Sequence, residues 1–322
     1  MKFRYIFGNA PELARAELEA VLKTHEESPE LIKILGGTVK IAQVLPEDVK
    51  LSDIITSDFG ISDYTGKANV VKLCKGIKDE TGKRFVLPKT GKVLSSVVVA
   101  KQKLIEIIIG DGWMGKTVTV QDFEDWAKRD FGRPEADPHI GMLPPKVARM
   151  MVNIALPTTN YQLQTIFDPF CGVGTILAEA LMVGCQVIGN DINKTQIEKT
   201  KRNLDWLVSS YKLQATSYEL RNTDARQLAR LGRVDAIVTE PDLGLSVNDA
   251  PRLEKLYTEC FLAWKDILNP GGSVVIALPH FVKNVVDKVK NIGYSLVQGP
   301  YEYSRQNAII KRNIWHMLKP EE

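Results

Sequence analysis

Two rhythms of apolar residues divide the chain, and the change falls near Pro144. Before it the pattern is α+β. Residues 3–7 (FRYIF) and 38–44 (TVKIAQV) read as strands, and Pro11 opens a helix whose apolar stripe, Ala14, Leu18, Val21 and Leu22, has helical spacing. A polar helix over 47–53 closes this first unit, assigned to 1–53. A second unit, 54–121, combines the strand-like ITSDFGISDY, a basic helix at 70–79, RFVLP, an apolar run at 96–99 and a strand at 104–109. Residues 122–143 sustain no period and are broken by Pro134 and Pro138, so they read as a linker.

From residue 144 to 322 strands and helices alternate. Residues 165–168, 186–191, 234–239 and 272–278 are short, almost wholly apolar strands. Helices are expected at 146–155, at 175–183 before Gly184, and at 193–208 behind Asn193, the last with an apolar face of Ile197, Leu204, Leu207 and Val208. Buried strands joined by helical crossovers predict an α/β fold with a doubly wound, mostly parallel sheet. In such sheets ligands bind at the carboxyl ends of the strands.

Those ends carry the chemistry. FDPFCGVGTI places Asp168, Pro169 and Phe170 at a strand end, then Gly172 and Gly174 in a tight turn, then Thr175 at a helix start. The glycines let the backbone approach a ligand, and the helix N-terminus follows. A dinucleotide fingerprint would put a third small residue where Leu177 stands, and it lacks the preceding acid. An Asp before the turn suits a cationic ammonium or sulfonium group, which favours S-adenosylmethionine over NAD. Asp191, followed by Ile192, closes the next strand, where a carboxylate accepts hydrogen bonds from ribose hydroxyls of either cofactor. Asp224 and Ala225 follow a further strand; Asp224 is placed for an adenine amino group or for a helix cap.

The strand 234–239 runs into Glu240, Pro241 and Asp242. A carboxylate and a proline-stiffened carbonyl there can accept both protons of an exocyclic amine and align its lone pair for in-line methyl transfer, a reaction driven by positioning and electrostatics. In the linker, Lys128, Arg129 and Arg133 alternate with Trp126 and Phe131, a mixture suited to phosphate contact and base stacking or to a solvated connector with two aromatic anchors.

Composition adds limits. A net charge of +3 permits a nucleic-acid partner without requiring one, and 44% hydrophobic with 25% charged residues is ordinary for a soluble chain. Four scattered cysteines form no Cys-x-x-Cys pair, which argues against structural zinc or a disulfide framework and fits a reducing cytoplasm. Cys171 reads as a small filler of the turn, and none of the four histidines, including His139 in the linker, sits like a metal ligand. The N-terminus becomes charged too early for a signal peptide, and no apolar run is long enough for a membrane span.

With these segments in hand, the chain resembles the THUMP-domain RNA methyltransferases, in particular the archaeal and eukaryal tRNA guanine N2-methyltransferases acting near position ten. The resemblance is carried by RFVLP with KVLSSVVVAKQKL, GKTVTVQDFEDWAKRDFGRP, GMLPPKVARMMVNIA and, most specifically, DPFCGVGTILAEAL with IGNDIN. It implies a class I Rossmann-like methyltransferase domain at 144–322, a ferredoxin-like domain at 1–53 and a THUMP-like RNA-binding domain at 54–121. It further implies S-adenosylmethionine as cofactor, with Met142 and Leu143 against its methionine part, tRNA as partner, and a small activating subunit as an open question. Where such enzymes carry Asp-Pro-Pro-Tyr, this chain reads Glu240-Pro241-Asp242-Leu243 and lacks the ring that stacks on the target base, a contact worth about 1–3 kcal/mol. The resemblance leaves three readings: transfer to a guanine N2, transfer to another RNA base, and tRNA binding without transfer.

Overall fold

The structure, a computed structural model, describes all residues except 137–141, 157, 159, 214–217, 229–230, 245, 305–310 and 320–322. His139 is outside the described residues. Two compact units emerge: Met1–Asn9 with Glu26–Glu124, and Ala10–His25 with Asp125–Glu322. The chain therefore passes from one unit to the other three times.

In the first unit, β1 (Phe3–Phe7) is followed by helix α1 (Pro11–Val21), which belongs to the second unit, and then by β2 (Thr38–Val44) and the short α2 (Leu51–Ile54). β3 (Phe59–Asp63), α3 (Val70–Thr81), β4 (Phe85–Val86), α4 (Ser96–Lys101), β5 (Ile105–Gly110) and β6 (Trp113–Val120) complete it. The six strands form one sheet in the order β1-β2-β6-β5-β3-β4. Residues 1–53 and 54–121, read as separate units from the sequence, thus share a sheet, because β6 inserts between β2 and β5. β6 follows β5 through Asp111-Gly112, with Gly112 at φ +70°, a left-handed backbone that glycine adopts at no steric cost. The apolar run at 96–99 is helical, since the Ser95 side chain accepts from the Val98 N–H and caps α4.

The last crossing falls within α5 (Phe123–Phe131), whose residues from Asp125 on belong to the second unit, and that unit continues with α6 (Pro145–Ala155), β7 (Thr165–Asp168), α7 (Thr175–Val183), β8 (Gln186–Asn190), α8 (Lys194–Tyr211), β9 (Tyr218–Arg221), β10 (Val234–Thr239), α9 (Ala250–Ile267), β11 (Leu268–Pro279), α10 (Val285–Asn291), β12 (Ser295–Tyr303) and β13 (Arg312–Leu318). Its sheet runs β12-β13-β11-β10-β7-β8-β9. β9, β8, β7, β10 and β11 are parallel, and β13 is antiparallel to both β11 and β12. The order reverses between β7 and β10, so the crevice expected at a switch point opens between the ends of those two strands. α5 replaces part of the expected linker: Trp126 and Arg129 are buried on one of its faces, and a helical spacing that short was hidden among charged residues.

Helix α1 buries Leu13, Ala14, Ala16, Ala20 and Val21 within this unit, together with Glu17, whose Oε1 accepts from Asn153 Nδ2 of α6 at 2.7 Å. No helix among the described residues is long and apolar enough to cross a membrane.

Candidate active site

The β7 strand is short, with Ile166 and Phe167 buried before Asp168, and its parallel partner β10 ends at Thr239. Their ends meet: Thr239 Oγ1 donates to Asp168 Oδ1 at 2.7 Å, and the Phe170 N–H donates to the same oxygen at 3.1 Å. Burial pushes the Asp168 carboxyl up to about 7, against the pull of those two donors, with smaller upward contributions from the negative charges of Asp191 and Glu240. A buried acid with so costly a charge is ready for a cationic ligand group.

The turn after β7 is shaped for close approach. Gly172 lies at φ +52° and a Cβ built there meets no atom within 4 Å, so the space over this backbone is open. Gly174, at φ +84°, sits where a Cβ would come within 2.9 Å of Thr200 Cγ2. One glycine faces room for a ligand and the other lets α8 pack against the turn. Thr200 Oγ1 donates to the Gly172 carbonyl at 2.6 Å, fixing that packing. Burial raises Cys171 well above the usual thiol range, and its Sγ faces Thr200, which agrees with a filler.

Asp191 follows β8 directly. Its Oδ2 accepts from the Gly172 N–H at 3.0 Å and its Oδ1 from the Asn193 N–H at 2.8 Å. Each oxygen retains capacity for a second donor, so this carboxylate is preorganised for a pair of hydroxyls. Burial raises its pKa, and the two N–H donors oppose the rise. Ile192 beside it is exposed, leaving an apolar face next to the carboxylate. Asp224 behaves differently: the Arg226 side chain grips both of its oxygens and holds its pKa below the usual carboxylate range. The adjacent Ala225 is buried, and its carbonyl accepts from Trp264 Nε1 at 3.3 Å. The open space over Gly172, the paired oxygens of Asp191 and the buried charge of Asp168 together fit an adenosine cofactor with a cationic end.

At the end of β10, Glu240 Oε1 accepts from Arg312 Nε, an ion pair in which the Arg312 side chain is 4% exposed and that of Glu240 16%. Pro241 is buried. Asp242 turns away into a loop anchored by α9: its Oδ2 accepts from Arg252 Nη2 at 2.9 Å, its Oδ1 from the Gly244 N–H at 2.9 Å, and its carbonyl from the buried Tyr257 hydroxyl. The three acids Asp168, Asp191 and Glu240 thus line one strand-end edge, while Asp242 fixes the loop that follows.

The proposed phosphate contacts separate. Arg129 is 4% exposed and pairs with Glu179 (2.7 Å) and Asp125; it also stacks 4.1 Å from the Trp126 ring centroid. Arg133 is buried, donating to Thr175 Oγ1 at 2.6 Å and to the Met142 sulfur at 3.0 Å, which brings Met142 to the start of α7. Leu143 is buried nearby in sequence. Neither arginine faces a phosphate in this arrangement, because Glu179 and the start of α7 already hold them. Lys128 is exposed, its Nζ 4.8 Å from the Tyr211 ring centroid, and Phe131 is exposed while Trp126 is not.

Three residues at this edge carry no signal in the sequence. Asn190 is buried and clamps three segments, donating to the carbonyls of Pro169 and Thr223 and accepting from the Thr223 N–H and hydroxyl. Thr239 and Arg312 are the other two.

Residues 133–289, which hold all the strand-end acids, match the model of the RMKL-like methyltransferase domain. Outside the methyltransferase domain the likeness continues in part. The tRNA (guanine(10)-N2)-dimethyltransferase of Methanothermobacter thermautotrophicus is 33% identical over 207 residues, 64% of this chain and 56% of that protein. The protein of the same name from Pyrococcus abyssi is 29% identical over 252 residues, 77% of this chain and 68% of its own length. The match therefore spans little more than half the length of the first relative. Among solved structures, TrmN from Thermus thermophilus matches with a TM-score of 0.56 at 16% identity over 98% of both chains. A protein described as a possible methylase from Clostridium difficile 630 matches with 0.52 at 14% identity, over 99% of this chain and 97% of that one. At these identities the likeness is one of fold, and it confirms the Rossmann-like architecture of the methyltransferase domain.

Proposed function

We propose that this chain is an S-adenosylmethionine-dependent methyltransferase acting on the exocyclic N2 of a guanine in tRNA. The observation that carries the reading is the shared strand-end edge, where a cofactor crevice at Asp168, Gly172 and Asp191 adjoins Glu240 and Pro241 on the neighbouring strand. S-adenosylmethionine, when bound, supplies a methyl group made electrophilic by the sulfonium. Asp191 would hold its ribose hydroxyls, Asp168 would face its cationic end, and Met142, Leu143 and Ile192 would give apolar contact. Glu240 and the Pro241 carbonyl would receive the two amine protons, so that the nitrogen lone pair points at the methyl carbon. As the nitrogen becomes cationic, Glu240 is the nearby carboxylate able to take up the released proton.

The curated relatives named as tRNA (guanine(10)-N2)-dimethyltransferases support the substrate. We assign RNA recognition to the first unit, whose α3 carries the exposed Lys72, Lys75 and Lys78 on one helix. A second reading, tRNA binding without transfer, draws support from the engagement of both Glu240 and Asp242 by arginines. Mass spectrometry of nucleosides from tRNA incubated with protein and labelled S-adenosylmethionine separates the two. N2-methylguanosine or its dimethyl form supports transfer, and unmodified guanosine with intact tRNA binding supports the second reading.

A further inference from the structure

Arg312 opens β13, the antiparallel strand of the sheet, and stands opposite Pro279, the last residue of β11. Because β13 runs against its neighbour, its first residue lies where the parallel strands end. Arg312 therefore reaches past the end of β11 to Glu240 at the end of β10. The backbone here is held without the side chain: β13 pairs with β11 in continuous register from Leu318 to Arg312, and the His280 N–H donates to the Lys311 carbonyl at 2.9 Å. The guanidinium is nonetheless taken out of water, an arrangement that is costly unless the charge has a partner.

That partner needs it. Glu240 shares its edge with Asp168, whose carboxyl is raised in part by the Glu240 and Asp191 charges, and Asp242 follows two residues on. From α9, Arg252 is engaged with Asp242, and the buried Tyr257 hydroxyl feels the Glu240 charge. Of the two cations among these groups, Arg312 is the one bonded to Glu240. A planar guanidinium also fixes direction, as a point charge does not.

We propose that Arg312 is a positioning residue for methyl transfer, holding the Glu240 carboxylate ionised and oriented so that it can receive the protons of the acceptor amine. This rests on the reading of Glu240 given above. Arg312 lies beyond the matched 133–289 stretch and acts through its ion pair with Glu240.

The test uses the full chain, an unmodified tRNA transcript with guanine at position ten and methyl-labelled S-adenosylmethionine, with single-turnover rates measured from acid to alkaline pH. Arg312→Gln is expected to slow transfer at least about tenfold at neutral pH and to move the acid limb of the rate profile upward by about one pH unit. Cofactor affinity should stay within about threefold of wild type, since the cofactor contacts lie on other strands. Arg312→Lys should recover part of the rate, and Glu240→Gln/Arg312→Gln should be no slower than Glu240→Gln alone. A rate loss in Arg312→Gln that is independent of pH and adds to that of Glu240→Gln overturns the proposal in favour of a structural role. If Glu240→Gln is slow but Arg312→Gln is as fast as wild type, this inference fails and the reading of Glu240 stands. If Glu240→Gln retains full activity, that reading fails first. Should Arg312→Gln not fold, Arg312→Lys, which keeps the charge but loses the planar fork, decides in a double-mutant cycle with Glu240→Gln: a rate loss that adds to that of Glu240→Gln overturns the proposal, and one that vanishes in the Glu240→Gln background supports it.

Discussion

Thr239 Oγ1 and Asp168 Oδ1, 2.7 Å apart, join the ends of the two strands between which the sheet changes direction. The bond favours the ionised carboxylate, yet burial still leaves Asp168 at about 7 against an ordinary value of 3.8. Below this window the acid is neutral in the folded chain; above it the fold carries a buried charge. Its contribution to stability is therefore full below about 4 and is lost as pH rises towards about 7.

Binding of a cationic cofactor should oppose that loss. S-adenosylmethionine affinity is expected to rise with pH, by at most about tenfold per unit, and to level off above about 7. Calorimetry in buffers of different ionisation enthalpy should show a proton released on binding near pH 6. Asp168→Asn should flatten the profile, and Thr239→Val should carry the plateau to higher pH. A flat wild-type profile would show that Asp168 does not titrate with binding.

Asp191 stands between the glycine turn and the cap of α8, bonded to the N–H groups of Gly172 and Asn193. Asp191→Ala is expected to weaken S-adenosylmethionine binding by about 1–3 kcal/mol through hydroxyls left without an acceptor. NAD should bind negligibly to wild type. Titration of both nucleotides against wild type and variant measures each effect.

Arg129 is a structural cation. Arg129→Ala removes one buried cation from Glu179 while Arg149 stays 2.7 Å from its other oxygen, and should cost about 1–3 kcal/mol of stability in denaturant titrations. Lys128→Ala, at an exposed site, should leave stability within about 0.5 kcal/mol of wild type. If Lys128 contacts tRNA, the same change lowers tRNA affinity and flattens its dependence on salt.

Helix α1 should be needed by the methyltransferase domain although it lies near the start of the chain. A chain beginning at residue 122 loses the helix that covers α6 and the acceptor of Asn153 Nδ2. It is expected to melt at lower temperature and to bind cofactor poorly, whereas Glu17→Ala alone should cost about 1–3 kcal/mol. A truncated form as stable as the full chain would refute the role of α1.

The acids at strand ends were legible because a carboxylate that stops an apolar run marks the point where a buried strand emerges from the core. Asp168 and Asp191 took their expected places at the strand ends for that reason. The pairing of distant groups was not legible. Arg312 is far from Glu240 in sequence, and only the reversed strand β13 brings them together; Arg129 finds Glu179 on another helix. Arg129 and Arg133 looked like surface cations because composition cannot tell a solvated charge from one with a buried partner. The strand β6 was hidden although Asp111-Gly112 marks its turn, since the residues after it alternate weakly.

The three passages of the chain between the units also bear on inheritance. Residues Ala10–His25 belong with the methyltransferase part, while the strands on either side of them belong to the other part. A gene break at the second crossing or the third would carry residues 125–322 away without the first helix of their unit. Exchange of either part with another gene by one recombination event would thus leave the face of α6 that α1 covers without its helix.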